Sequence, residues 1–171
     1  FIATLLWWNK TLAKVVDPYL TILNSLPKVS LGPLIIIWAG ANVKSIILMA
    51  ILISIFITIL NMYTAFNKVD ADKVTLLKSF GASKIKIFFH LVLRSNLSAI
   101  MNTLKVNIGL SFIGVIMGEL LVSKQGLGYL ITYGSQIFNL NLVITAIFIL
   151  GILSYLFYLV ASYIEKKVSN R

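Results

Sequence analysis

A long apolar stretch without charge near the C-terminus constrains the fold most strongly. Residues Leu142 to Ile164 form 23 consecutive positions without a charged side chain. A helix needs roughly 20 apolar residues to cross a bilayer. Ser45 to Tyr63 is a second such stretch, without charge, glycine or proline. Because backbone polar groups in lipid must be paired within the protein, both stretches predict membrane-spanning helices.

The composition indicates a surface that meets lipid. Hydrophobic residues make up 59% of the chain and charged residues only 12%, whereas soluble globular proteins have about 25% charged residues. This excludes an ordinary soluble enzyme, a disordered chain and a fibrous repeat. The absence of cysteine excludes disulfides and thiolate chemistry. We therefore expect residues 1–171 to form one all-α, polytopic transmembrane helical bundle.

Three further segments complete the predicted spans. Residues 1–8 are apolar but too short to cross a bilayer, so we expect the end of a span and a domain that is incomplete at its N-terminus. Residues 19–40 are apolar but interrupted by two prolines, a lysine and a glycine. Such a break must face protein or water. It either separates two short helices that pack on their neighbours or has a functional role. Residues 97–122 form the third of these segments. Together with 45–63 and 142–164, the sequence thus predicts four spans and the end of a fifth.

The distribution of basic residues predicts the orientation. The net charge is +10, and basic side chains concentrate in the cytoplasmic segments of membrane proteins. If loop 9–17, loop 65–96 and the C-terminal tail share one side, that side has eleven basic residues, against Lys44 and Lys124 on the other. We expect a multi-pass protein of a bacterial cell membrane with a cytoplasmic C-terminus. Topology and contact with the lipid bilayer then explain the charge, without nucleic acid.

The basic loop 65–96 has the pattern of two short helices joined by a glycine. Val74, Leu77 and Phe80 recur every three residues, as on one face of a helix. Gly81 permits a turn that a residue with a Cβ atom resists, and Ser83 is a candidate N-cap for the second helix. Such a unit either binds a soluble partner or lies on anionic lipid, and the residues leave both open.

The loop and its surroundings resemble a known family. The segment Lys78–Ser83, followed by Ile87–Phe88 and Val92–Leu93, resembles the EAA loop of type I ABC importer permeases. Other segments resemble the nitrate/taurine/aliphatic-sulfonate branch of this binding-protein-dependent family: Asp17–Pro18, Leu26–Pro27, Leu34–Gly40, Gly118–Leu121 and Gly126–Ile131. The resemblance covers about residues 17–167. It implies a permease for a small solute such as nitrate, taurine or another organic sulfonate, while near relatives carry a vitamin or a pyrimidine precursor.

The resemblance also implies partners. In this family the loop docks on a separate ATPase subunit, a second permease copy completes a dimer, and an extracytoplasmic substrate-binding protein delivers the solute. The implied ATPase-coupling residues are Val74, Leu77, Lys78, Phe80, Gly81, Ala82 and Ser83. The Glu-Ala-Ala triplet of the family falls on Thr75–Leu77 here, and a common proline falls on Arg94. No role of the family's glutamate is therefore carried over to Thr75.

The segment 97–122 contains the candidates for a translocation path. Asn107, Ser111, Gly114 and Gly118 share one helix face, which serves either close helix packing or a path. Lys105 and Glu119 are ionisable groups in or near the membrane, about 21 Å apart along a helix and so unable to pair with each other. Each side chain either extends to the membrane–water interface or lies on the translocation path.

The remaining candidates lie between the last two spans. Lys124, Gln125 and Tyr129 are predicted to contact the binding protein, beside a turn that the neighbouring glycines permit. We predict no metal, cofactor or catalytic site, since His90 is the only histidine and no P-loop motif is present. We therefore expect a transport subunit that is not an enzyme. A membrane scaffold with a lipid-binding basic loop and an integral-membrane enzyme are the alternatives.

Overall fold

Apolar helices dominate the computed structural model, which describes residues 1–169. Arg171, part of the predicted cytoplasmic tail, lies outside the described residues. Residues Lys28–Leu31 form a 3₁₀ turn, and Phe88–Val92 form a π-helical turn. The α-helices of the described residues are α1 (Ile2–Trp8), α2 (Lys10–Ser25), α3 (Gly32–Ala39), α4 (Val43–Asn67), α5 (Ala71–Ser79), α6 (Lys84–Ile87), α7 (Leu93–Ser95), α8 (Leu97–Val122), α9 (Leu127–Gln136) and α10 (Leu140–Ser169).

Three of these helices are long and apolar enough to cross a membrane. They are α4, α8 and α10, the last over 28 residues, Leu140–Lys167. The segments 10–25 and 28–39 form a pair that is bent by 85° and is apolar enough to count as one broken span. Among the described residues there is no β-strand. The predicted all-α, polytopic transmembrane fold is confirmed.

The first turn after α1 differs from the expected polar loop 9–17. Helix α2 begins at Lys10 because the Asn9 side-chain oxygen accepts hydrogen bonds from the amides of Thr11 and Leu12, at 3.0 and 3.1 Å. The helix continues through Pro18, although a proline removes one internal hydrogen bond. Burial of Ala13 and Leu20 against the bundle compensates for that loss. The basic residues of this segment are therefore helical.

Helix α10 exposes most of its length. Ala146 and Ala161 are buried, but a long run of aliphatic and aromatic side chains points outward. In a water-soluble monomer such a large apolar surface is rare and marks contact with a membrane or another protein. The exposed surface fits a helix that meets lipid or a second membrane helix.

Two ends of the bundle can be distinguished by their contacts. At one end Lys84 donates a hydrogen bond to the backbone oxygen of Trp8, and Lys105 of α8 meets Glu165 of α10. We call this the lysine-rich end. At the opposite end Gly32, at the start of α3, lies against Leu121 near the end of α8. The chain therefore places residues 68–96 and the C-terminal part of α10 at the same end.

Candidate functional site

A bent segment at the lysine-rich end, residues 70–87, is the first candidate site, and we call it the elbow. Asp70 caps α5, since its carboxylate accepts a 2.9 Å hydrogen bond from the amide of Asp72. Asp72 lies in the first turn and Lys78 in the last turn, where each charge is favourable to the helix dipole. Local sequence signals therefore favour both ends of this short helix.

Gly81 ends α5 by adopting a backbone that favours glycine. Its φ is +75°. The amide of Gly81 donates to the carbonyl of Lys78 at 2.9 Å, and the amide of Ala82 donates to the carbonyl of Leu77 at 3.0 Å. These two bonds form a Schellman motif, a common helix C-cap. The predicted turn at Gly81 therefore has a definite hydrogen-bonded geometry.

The predicted apolar face of α5 is divided between two environments. Val74, Leu77 and Ala82 pack against a buried cluster formed by α1, α4 and residues 87–92. Phe80 points away from the bundle with 77% of its surface exposed, and Leu76 is 55% exposed. Sequence reasoning missed Leu76, which lies four residues before Phe80 and so shares its helix face. The elbow is attached to the bundle by one apolar face and presents a second one outward.

The second half of the elbow leads into a segment that is packed on the bundle. The Ser83 hydroxyl, the predicted N-cap, accepts a 3.4 Å bond from the amide of Lys86. The π-helical turn that follows contains buried Phe88 and Val92. Phe88 contacts Trp7 and Phe66, with ring centroids 5.2 and 5.5 Å apart. The chain immediately after the elbow is therefore packed against α1 and α4.

The predicted helix face of α8 has two parts: Gly114 and Gly118 pack against α4, and Asn107 and Ser111 line a groove. A Cβ atom added to Gly114 would lie 2.4 Å from Cα of Ala50, and one added to Gly118 would lie 2.9 Å from Cα of Ile46. Both glycines therefore allow the backbones of α8 and α4 to approach closely. For these two positions the structure supports the packing interpretation.

Asn107 and Ser111 line an open groove of about 380 Å³ between α8 and α10. The Thr58 hydroxyl donates a 2.7 Å hydrogen bond to Oδ1 of Asn107, which orients this amide. Phe112 and Phe157 form the aromatic wall of the groove, with ring centroids 5.7 Å apart. The groove combines two polar side chains with an aromatic surface.

Lys105 and Glu119 each have a partner within the bundle. Nζ of Lys105 lies 2.6 Å from Oε2 of Glu165 and 5.1 Å from the ring centroid of Tyr158. Sequence reasoning missed Glu165. Lys105 lies near the start of α8 and Glu165 near the end of α10. Because these two helices are antiparallel, both residues lie at the same end of the bundle, and this could have indicated that they pair. Lys105 is therefore engaged in joining α8 to α10.

Glu119 organises the turn at the opposite end. Its Oε2 accepts a 2.8 Å hydrogen bond from the amide of Gly128. A Cβ on Gly126, where φ is +103°, would come within 2.4 Å of this carboxylate. Lys124 and Gln125 are exposed beside the turn, and Tyr129 stacks on Tyr133 at 5.8 Å. The predicted binding-protein contacts are thus grouped at the end away from the elbow.

These features define a polytopic helical membrane protein with an elbow at one end and a polar turn at the other. The chain belongs to the family described as binding-protein-dependent transport system inner membrane component, which it matches over residues 1–170. The predicted family membership is confirmed. Residues that contact a partner or solute remain predictions.

Several curated proteins are similar to the chain over most of its length. The formylaminopyrimidine transport permease protein ThiX of Halalkalibacterium halodurans is 28% identical over 155 residues, 91% of this chain and 62% of the relative. The putative aliphatic sulfonates transport permease protein SsuC of Escherichia coli is 27% identical, covering 90% of this chain and 58% of the relative. The riboflavin transport system permease protein RibX of Chloroflexus aurantiacus is 25% identical, covering 94% and 58%. The chain therefore spans about 60% of the length of these relatives.

Proposed function

We propose that the chain forms a membrane-spanning transport subunit of an ABC importer. A separate ATPase supplies the energy, and a binding protein delivers the solute. A second copy of the permease completes the path. Membership of the family supports this assignment, and so does the division of the molecule into an elbow and an opposite polar turn. In this arrangement the chain itself catalyses no reaction.

The observation that carries the proposal is the outward apolar face of the elbow. Phe80 and Leu76 are exposed at the lysine-rich end, while the other face of α5 is packed on the bundle. Exposed aromatic side chains of this kind are typical anchors of protein interfaces. The ATPase docks on Phe80 and Leu76, the lysine-rich end lies in the cytoplasm, and Gly81 keeps the two elbow helices at a fixed angle.

Two solute classes fit the proposal. An organic sulfonate such as taurine, or nitrate, follows from the resemblance and from similarity to SsuC. A flat heterocycle follows from similarity to ThiX and RibX, and the Phe112–Phe157 wall of the groove favours it because aromatic rings stack on such solutes. Uptake of radiolabelled taurine and of radiolabelled formylaminopyrimidine distinguishes the two classes. The solute of the correct class is taken up, and unlabelled solute of the same class inhibits its uptake, whereas the other solute does neither.

Co-purification of the ATPase tests the docking surface. Phe80→Glu places a charge on the exposed elbow face, and we expect it to reduce the co-purified ATPase by about tenfold or more, as for an interface anchor. Phe138→Glu is the matched control, because Phe138 is 93% exposed and lies in the connection between α9 and α10. The proposal fails if the Phe80 variant retains the ATPase, or if both variants lose it equally.

A further inference from the structure

A pocket at the lysine-rich end has the composition of an anion-binding site. Its volume is about 480 Å³, and it lies between the α1–α2 junction, the end of α4 and the elbow. One lysine lines it from each of α2, α5 and α6, namely Lys10, Lys78 and Lys84. No aspartate or glutamate is among its lining residues. Three separate elements therefore bring positive charge to one concave space.

The three lysines of the pocket have no ion-pair partner within residues 1–169. The ion pairs within residues 1–169 are Lys73–Asp70 and Lys105–Glu165, and neither involves a lysine of the pocket. Like charges in one pocket repel each other, and the repulsion is relieved when an anion binds between them. The pocket is therefore suited to an anionic ligand.

An aromatic wall holds one of the lysines in place. Lys84 donates to the backbone oxygen of Trp8, and its Nζ lies 5.0 Å from the ring centroid of Trp8 and 5.7 Å from that of Trp7. Carbonyl and ring contacts orient an ammonium group without cancelling its charge. Trp7 also lines the pocket beside the neutral polar side chains of Asn67 and Thr75.

We propose that this pocket binds a phosphate-bearing anion, either the headgroup of an anionic phospholipid or free phosphate. Lysines are strong point-charge partners for phosphate oxygens, and the side-chain amide of Asn67 supplies a further hydrogen-bond donor. Tryptophan favours the membrane interface, where such headgroups lie. The ligand bridges the elbow to α2, because Lys78 of α5 and Lys10 of α2 both line the pocket.

The site lies apart from the proposed docking face of Leu76 and Phe80, although three predicted ATPase-coupling residues, Val74, Lys78 and Ala82, also line the pocket. Thr75 and Lys78 face the pocket, whereas Leu76 and Phe80 are the exposed docking face. Binding to the purified chain requires neither an ATPase nor transport. Failure of this inference and failure of the proposed function are therefore distinguishable.

Tryptophan fluorescence of the purified full chain in a neutral detergent tests the site. Trp38→Phe removes the indole that lies far from the pocket, on α3, and leaves Trp7 and Trp8 as reporters. Three probes are titrated separately: short-chain phosphatidylglycerol, short-chain phosphatidylcholine and inorganic phosphate. Saturation by inorganic phosphate supports a free-phosphate site, and saturation by phosphatidylglycerol alone supports a headgroup site.

Paired charge variants separate the pocket from general electrostatics. In the same background, Lys10→Gln with Lys78→Gln weakens binding by about tenfold or more, as expected for loss of charge-assisted hydrogen bonds. Lys14→Gln with Lys86→Gln removes the same charge from nearby positions outside the pocket lining and changes the affinity by less than about twofold. The inference is overturned if neither anionic probe saturates, if phosphatidylcholine binds as tightly, or if both double variants weaken binding equally.

Discussion

The elbow and the contact between α4 and α8 both depend on glycine, but for different physical reasons. Gly114 is needed for space, since a Cβ there would collide with the backbone of Ala50. Gly81 has no atom within 4 Å of an added Cβ and is needed for its positive φ. Packing of two long helices resists movement, whereas a capped turn fixes only a local angle. The comparison indicates a rigid inner bundle that carries an elbow with an independently defined bend.

The largest expected effect is at the helix contact. Gly114→Ala forces α8 away from α4 and lowers the free energy of unfolding by about 2–3 kcal/mol, as overpacking does in well-packed interiors. Thermal unfolding in detergent, followed by circular dichroism, measures it. Gly109→Ala is the control, because no atom lies within 4 Å of its added Cβ. Equal stability of the two variants would refute the close-packing role.

A smaller loss of stability is expected at the link between α8 and α10. Lys105→Gln removes the cation that pairs with Glu165, and an unpaired ionisable group within a membrane bundle is unfavourable. We expect a lower Tm than for the unsubstituted chain, but a smaller change than for Gly114→Ala. The double variant Lys105→Gln with Glu165→Gln recovers part of the loss. If the Tm of the double variant does not recover, the ion pair does not stabilise the contact between α8 and α10.

The elbow glycine is expected to affect coupling more than folding. Gly81→Ala strains a left-handed backbone by about 1–2 kcal/mol and alters the bend without changing the bundle. Gly81→Asn, which tolerates this backbone better, retains more function. Solute uptake measures coupling, and Tm measures the fold. If both variants transport normally, the bend is not required for coupling.

The smallest effect is expected at the cap of α5. Asp70→Ala removes the hydrogen bond to the Asp72 amide and costs the local helix about 1 kcal/mol. Hydrogen exchange of the α5 amides should accelerate, while exchange in α4 and α8 stays the same. Asp70→Asn keeps a cap oxygen and serves as the control. Accelerated exchange throughout the bundle would mean that the elbow is not a separate unit.

Features set by local sequence were predicted best. The long spans follow from uncharged apolar length, and the turn at Gly81 follows from a glycine between two helical patterns. Contacts between distant segments were not predictable, because their partners depend on packing in three dimensions. The pairing of Lys105 with Glu165, the division of the α5 face between Leu77 and Phe80, and the helical form of residues 10–17 belong to this group.

Photocross-linking from positions 80 and 138 tests the central claim most directly. A photoreactive side chain replaces Phe80 or Phe138 in membranes that contain the ATPase and the binding protein. The account predicts that position 80 cross-links to the ATPase and that position 138 does not. A cross-link from position 80 to the extracytoplasmic binding protein, or its failure to reach the ATPase while position 138 does, would contradict the account.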